Sequence, residues 1–207
     1  MALDAADLIS KYTIETPAWE VEVAPGQTEV LNGTVQEVYA RALAINPNFQ
    51  RVPAVARSSV QKLETARLAE KRGSVVKCGN WPSAERRHIH ADIAYLRALT
   101  AAPRMPLGPG ACYRVSCSYD SAIYWCNDVS SHDIGPCPRR FPLLSARLNH
   151  SPFALTQNKT WKNLDNWGLI ANSAGFIIFT CARKASYASG QNFEAGNWNT
   201  IVRGDKC

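Results

Sequence analysis

The first third of this chain contains no cysteine, although the 207 residues include seven, beginning at Cys78. No two of the seven are spaced as Cys-x-x-Cys, and the step from Cys112 to Cys117 suits no common zinc site. The cysteines therefore favour disulfide bonds over a metal centre. Disulfides place the protein in an oxidising compartment, so we expect it to be secreted and extracellular.

Other absences narrow the function. The sequence has no run of about 18 to 20 apolar residues that could span a membrane, and its start lacks the basic and apolar regions of a signal peptide. We therefore expect a secretory signal to have been removed. No GxSxG, Walker loop or HExxH motif is present, so we expect no catalytic residue, cofactor or metal. Because no Lys/Arg run exceeds two residues, nucleic acid is not the expected partner.

Charge divides the chain in two. Residues 1–72 hold eight Lys and Arg against nine Asp and Glu, a net of −1, whereas residues 73–207 hold fifteen against eight, a net of +7. The boundary falls at the dibasic pair Lys71-Arg72, where a kexin-type protease of the secretory pathway would cut. We therefore interpret residues 1–72 (the first unit) as a pro-domain with its linker and residues 73–207 (the second unit) as the cysteine-rich domain.

Hydrophobic periodicity predicts the elements of both units. In the first unit, WEVEV at 19–23 and residues 28–31 read as strands and residues 34–44 as a helix. In the second unit, residues 74–78 read as a strand and Ser83 as the N-cap of a helix that ends before Pro103. A hairpin follows, from two short β-rich runs around Asp120-Ser121, and then a helix through Cys181. Residues 191–193 and 198–202 read as the terminal strand. This β-α-β-β-α-β order predicts an α+β, split βαβ (ferredoxin-like) sandwich stapled by disulfides.

One segment does not fit a compact domain. Residues 129–157 are 29 residues long, with four prolines, one cysteine and no periodicity. Val129-Ser130 can be encoded by a consensus 5′ splice site, and Leu155-Thr156-Gln157 by a branch-point-like run followed by a 3′ AG. We therefore hypothesise that the segment is a translated intron. Its removal would delete Cys137. The six cysteines that would remain for disulfides are Cys78, Cys112, Cys117, Cys126, Cys181 and Cys207.

Three stretches of the second unit carry a resemblance: KCGNWPSAERRHI, GPGACYRVSCSYDSAIYWCND and GNWNTIVRGDKC. They resemble a widespread group of small cysteine-rich secreted proteins of filamentous fungi, many of which are candidate effectors of plant pathogens. The β-α-β-β-α-β order is similar to that of fungal killer-toxin subunits, and the first unit looks like the pro-domain that such proteins often carry. The resemblance implies a protein that binds a host protein or a cell-surface or wall component after a kexin-type protease has removed its pro-domain.

Two alternatives stay open. His88 with Glu85 could imitate the acid–base pair of a small secreted ribonuclease. Tryptophan rings could stack on sugars in a wall-carbohydrate-binding module, and of the six tryptophans Trp81 and Trp161 are the candidates. For the tryptophans on predicted strands and helices, such as Trp125, packing in the core is the favoured interpretation.

The chain also carries acceptor motifs for N-glycosylation. Asn32 and Asn158 are the sequons that survive removal of the doubtful segment, and both are consistent with secretion.

Overall fold

The computed structural model describes residues 9–10, 12–49, 74–99, 103–105, 110–127 and 162–207. The predictions for Lys71-Arg72, for residues 129–157 and for Asn158 lie outside these residues. The described helices are α1 (Val35–Ile45), α2 (Arg86–Ala98) and α3 (Gly168–Cys181). The strands are β1 (Thr13–Glu15), β2 (Ala18–Ala24), β3 (Gln27–Asn32), β4 (Val75–Cys78), β5 (Ala84–Glu85), β6 (Arg104–Met105), β7 (Ala111–Ser118), β8 (Ser121–Asn127), β9 (Lys162–Asn163), β10 (Tyr187–Ala188), β11 (Gly190–Glu194) and β12 (Trp198–Gly204).

A six-stranded sheet in the order β1-β7-β8-β12-β11-β4 forms the centre of this mixed α/β protein. All its pairings are antiparallel except that of β1 with β7. The terminal strand residues predicted at 191–193 and 198–202 are confirmed, but they form two strands of a hairpin, β11 and β12, rather than one strand. The second of these, β12, lies between β8 and β11, so the end of the chain occupies the interior of the sheet.

The predicted central hairpin is present as β7 and β8. Its turn is formed by Tyr119 and Asp120, whose φ angles are 47° and 54°, rather than by Asp120-Ser121 as the sequence predicts. Two successive positive φ values are typical of a type I′ turn, whose twist matches that of antiparallel strands. A register shift between Arg114 and Ser116 adds a bulge to β7.

The α2 helix begins later than predicted. Ser83 is not its N-cap, because Ala84 and Glu85 form β5 and pair with Ala188 and Tyr187 of β10. The helix therefore starts at Arg86, with Glu85 in the capping position. In α1 the prediction is confirmed to within one residue, with Thr34 and Glu37 forming a capping box.

The first unit contributes to the same hydrophobic core as the second. Alternate residues of β2 are buried, and Trp19 stacks on Trp167 with ring centroids 3.7 Å apart. Trp167 in turn meets Trp125 of β8 edge to face, with centroids 6.0 Å apart. All three indoles are no more than 1% exposed. A core that includes both units lies between the helices and the sheet.

Disulfide bonding is confirmed, and the bridges join the six predicted cysteines: Cys78–Cys181, Cys112–Cys126 and Cys117–Cys207. The first ties the edge strand β4 to the end of α3, the second joins opposite residues of β7 and β8, and the third joins β7 to the C-terminal residue. All three lie within the second unit.

Candidate functional site

The exposed end of the central hairpin carries a group of charged and aromatic side chains. The hairpin-tip cluster consists of Glu85, Arg87, His88, Tyr119 and Tyr187. Glu85 belongs to β5, and Tyr187 of β10 lies opposite it in the register. Arg87 and His88 are in the first turn of α2, and Tyr119 occupies the β7–β8 turn. Four separate parts of the second unit therefore meet here.

Glu85 is the electrostatic centre of the cluster. Its Oε1 lies 2.6 Å from Arg87 Nε, and its Oε2 lies 3.2 Å from His88 Nε2. Arg87 Nε also donates a hydrogen bond to His88 Nε2 at 3.3 Å, and Arg87 Nη2 donates to Glu85 Oε2 at 3.2 Å. The guanidinium of Arg87 therefore contacts both the carboxylate of Glu85 and the imidazole of His88.

One aromatic ring stacks on the histidine of this group, and a second belongs to the residue paired with Glu85 in the strand register. The imidazole of His88 stacks on Tyr119 with ring centroids 4.4 Å apart and an interplanar angle of 19°. Tyr119 is 79% exposed and Tyr187 is 58% exposed. A large aromatic ring at a positive φ is uncommon, since Gly, Asn or Asp usually occupies such a position. The turn thus presents an exposed ring from a rigid hairpin.

The arrangement suits recognition better than acid–base catalysis. The 3.2 Å contact between Glu85 and His88 is the one feature that favours an acid–base pair. Exposed Tyr and Arg side chains, by contrast, are the residue types that dominate binding energies at protein interfaces. The cluster therefore has the composition of a binding surface.

A second polar group is buried beneath the tip, where α1, α2 and β7 meet. Asp92 is 1% exposed, and its Oδ1 accepts hydrogen bonds from Gln36 Nε2 and Ser118 Oγ, each at 2.8 Å. Gln36 also donates to Ser116 Oγ at 2.6 Å and accepts from the backbone N–H of Cys117 at 3.3 Å. Oδ2 of Asp92 has no hydrogen-bond partner. Burial raises the pKa of Asp92 to about 6, against the lowering effect of these hydrogen bonds.

The sheet face opposite the helices holds a third polar group. Tyr124 donates a hydrogen bond to Asp205, and burial together with this carboxylate raises the pKa of the phenol. Arg203 is 5% exposed and lies over the Trp81 ring at 5.5 Å. Its Nη2 is 3.8 Å from Asp205, a distance at which the carboxylate compensates part of the buried charge. This group anchors the C-terminal end to the sheet.

Several predicted site residues are elsewhere or outside the described chain. Asn32 ends β3 with an exposed side chain that a glycan could reach, whereas Asn158 and the cleavage pair Lys71-Arg72 lie outside the described residues. The five described tryptophans, among them Trp81, are all buried, and Trp161 lies outside the described residues. Ring stacking on sugar is therefore not available at those five positions in this structure.

The tip aromatics and the Asp92 network are absent from the sequence-based predictions. A tyrosine directly before Asp120 in a hairpin turn could have indicated the first. The second had no such signal, because Gln36 and Asp92 are 56 residues apart and only the packing of α1 on α2 joins them.

Among the described residues, no group of three His, Cys, Asp or Glu side chains could hold a metal ion. No helix in that part of the chain is both long and apolar enough to cross a membrane. Comparison of the whole chain with known proteins finds no matching family model, no matching curated protein and no matching solved structure.

Proposed function

We propose that this chain is a secreted fungal protein, effector-like or toxin-like, that acts by binding. A kexin-type protease cuts it after Lys71-Arg72, and the hairpin-tip cluster of the second unit then engages a host or competitor protein or a component of the cell surface. The longer elements β4, α2, β7, β8, α3 and β11 follow one another as in a β-α-β-β-α-β unit, which supports the likeness to killer-toxin subunits. The sheet order is not the ferredoxin-like one that the sequence predicts, because β12 lies between β8 and β11 and β4 is at the edge.

The observation that carries the proposal is the exposure of Tyr119 on a stapled hairpin. The ring is 79% exposed, and the strands beneath it are held by Cys112–Cys126 and Cys117–Cys207. A rigid aromatic side chain loses little conformational entropy on binding, so more of its contact area is converted to affinity. Arg87, with a side chain 75% exposed, adds a charged contact beside it.

Binding by labelled full-length protein to plant protoplasts and to cells of a competing fungus tests this proposal. Tyr119→Ala and Tyr187→Ala should each weaken binding to the responsive cells at least about tenfold, as truncation of a binding hot spot does. Val30→Ala is the control, because Val30 is 64% exposed on β3, outside the tip. Equal binding by the wild type and both tyrosine variants would refute the tip as the binding surface.

A ribonuclease-like activity is the second candidate, favoured by the 3.2 Å contact between Glu85 and His88. Incubation of the purified protein with RNA tests it, with His88→Ala as the comparison. Cleavage by the wild type that is lost in His88→Ala would replace the binding proposal with an enzymatic one. A pull-down with chitin or glucan tests the alternative of a wall-carbohydrate-binding module. Retention of the protein on either polymer would make Trp161 the residue to substitute next.

A further inference from the structure

The docked segment, residues 12–49, is integrated into the fold of the second unit. Its residues Trp19, Val21 and Val23 are no more than 3% exposed, as are Val35 and Val38 of α1. They belong to the same core cluster as residues of α2, α3 and the sheet. A pro-domain that dissociates after cleavage is not expected to supply side chains to the core of the protein that it leaves.

The segment also completes the sheet. Residues Thr13–Glu15 pair in parallel with Ala111–Tyr113, and Thr13 N donates to Gly110 O at 2.7 Å. Without β1, the hairpin strand β7 would present an open edge with unpaired backbone groups. Such edges are prone to aggregation, and natural proteins usually cover them.

Polar contacts fix the register of the docked segment. Gln36 supplies one of the two hydrogen bonds to Asp92 and satisfies the backbone N–H of Cys117. Tyr39 of α1 meets Tyr95 of α2 edge to face, with ring centroids 5.3 Å apart. Departure of α1 would leave the Asp92 carboxyl with Ser118 as its remaining partner among these contacts.

We propose that residues 12–49 stay bound after the cut at Lys71-Arg72, so that the secreted form is a non-covalent two-chain protein. This inference rests on the proposed cleavage, and it replaces the removal of the pro-domain by its retention as a subunit. The three disulfides all lie within the second unit, so packing and hydrogen bonds alone hold the two chains. Tyr119 is 79% exposed with the segment in place, so retention does not mask the hairpin tip.

The test separates docking from natural processing. In the full-length protein, Lys71-Arg72 is replaced by the recognition site of an unrelated sequence-specific protease, the purified protein is cut, and mass spectrometry verifies the cut. Gel filtration at micromolar concentration and neutral pH should then elute both chains together. Elution of the two chains at separate positions without denaturant would overturn the inference.

Matched variants locate the interaction. Trp19→Ala should weaken association of the cut chains by about a hundredfold or more, because it deletes a fully buried indole. Val30→Ala in the same hairpin should leave association unchanged. Should Trp19→Ala fail to fold before cutting, Gln36→Ala serves instead, with an expected loss of about tenfold. Unchanged co-elution of cut Trp19→Ala and cut Gln36→Ala would show that these contacts do not hold the chains.

Intact-mass analysis of the protein secreted by the native organism tests the cleavage itself. Two masses that correspond to chains ending at Arg72 and starting at Gly73, in one gel-filtration peak, are the expected result. A single full-length mass would refute the proposed processing without bearing on the docking experiment. The second chain secreted alone would refute retention while supporting cleavage.

Discussion

The docked segment and the second unit place similar apolar side chains in one core, but they differ in what else stabilises them. The second unit has three disulfides and five of the six strands of the central sheet. The docked segment has no cysteine and contributes one short strand to that sheet, three residues long. Its order therefore depends on the surface that the second unit provides.

Because of this difference, we expect the second unit to be the more stable part of the core and the docked segment to depend on it. Disulfides restrict the unfolded second unit, which lowers the entropy that it loses on folding. The docked segment loses its full chain entropy on folding, and only burial against the second unit offsets that free-energy cost. We expect the free energy of local unfolding to be lower for residues 12–49 than for β8 and β12.

The largest expected loss of stability comes from removing a disulfide bond. Replacing Cys117 and Cys207 together by Ser opens a bridge between residues 90 positions apart. The loss of one native disulfide from a small secreted domain typically costs about 2–5 kcal/mol. Thermal unfolding should show both units lost together at lower temperature, because the docked segment depends on the second unit. A melting temperature equal to that of the wild type would contradict the structural role of this bridge.

Titration of Asp92 should produce the next effect. Its pKa in the folded protein is about 6, above the ordinary value of 3.8, so the stabilising contribution of its protonated form is complete below pH ~3.8 and is lost as pH rises through ~6. The difference between these two pKa values corresponds to about 3 kcal/mol. Measured by urea unfolding, the stability of the wild type should fall between pH ~3.8 and ~6, whereas that of Asp92→Asn should fall less. The control is Asp120→Asn, an exposed turn residue; a similar pH profile for Asp92→Asn and the wild type would count against the assignment.

A matched pair of cavity variants tests directly whether the docked segment depends on the second unit. Val38 in α1 and Val202 in β12 are both completely buried, and truncation of either to Ala should cost about 2 kcal/mol. Hydrogen exchange should report faster opening of residues 12–49 alone in Val38→Ala, and of both units in Val202→Ala. Equal loss of protection across both units in Val38→Ala would show that they unfold as one.

The smallest effect is expected from deleting residues 129–157. The three bridges use the six cysteines other than Cys137, so the shortened chain keeps every disulfide. We predict a change in unfolding free energy within about 0.5 kcal/mol, as for surface changes. If the segment were a functional loop, its deletion would instead abolish cell binding while the melting temperature stayed the same.

Sequencing the native transcript across Asp128 addresses the origin of the same segment. A message that encodes all 29 residues as its main form would reject the intron hypothesis.

Local patterns predicted much of the fold. The alternation in β2 and the apolar faces of α1 and α3 each depend on residues close in sequence, and the structure has these elements near their predicted bounds. Errors arose where a distant partner decides the local structure. Ala84 and Glu85 extend because β10 pairs with them, although the same residues could have begun a helix. The strand residues predicted at the terminal segment are present, but they form two strands because β11 pairs with β4 and β12 with β8.

The candidate site was predicted only in part. Glu85 and His88 are three residues apart near the start of a helix, so their proximity follows from helical geometry. Tyr119 joins them through the local conformation of its turn, whereas Tyr187 joins them through the pairing of β10 with β5, which no short window of sequence contains.

The amino-acid sequence is enough to establish the cysteine content, the separation of charge between the units and the identity of the local elements, because these follow from composition and short-range periodicity. Packing in three dimensions selects which cysteines pair, brings Gln36 to Asp92 across 56 residues, and places Trp19 and Trp167 in one core. These contacts form because burial gains free energy only where surfaces from distant parts of the chain fit together. A boundary that charge and cysteine content draw along the sequence is therefore crossed by the core of the folded protein.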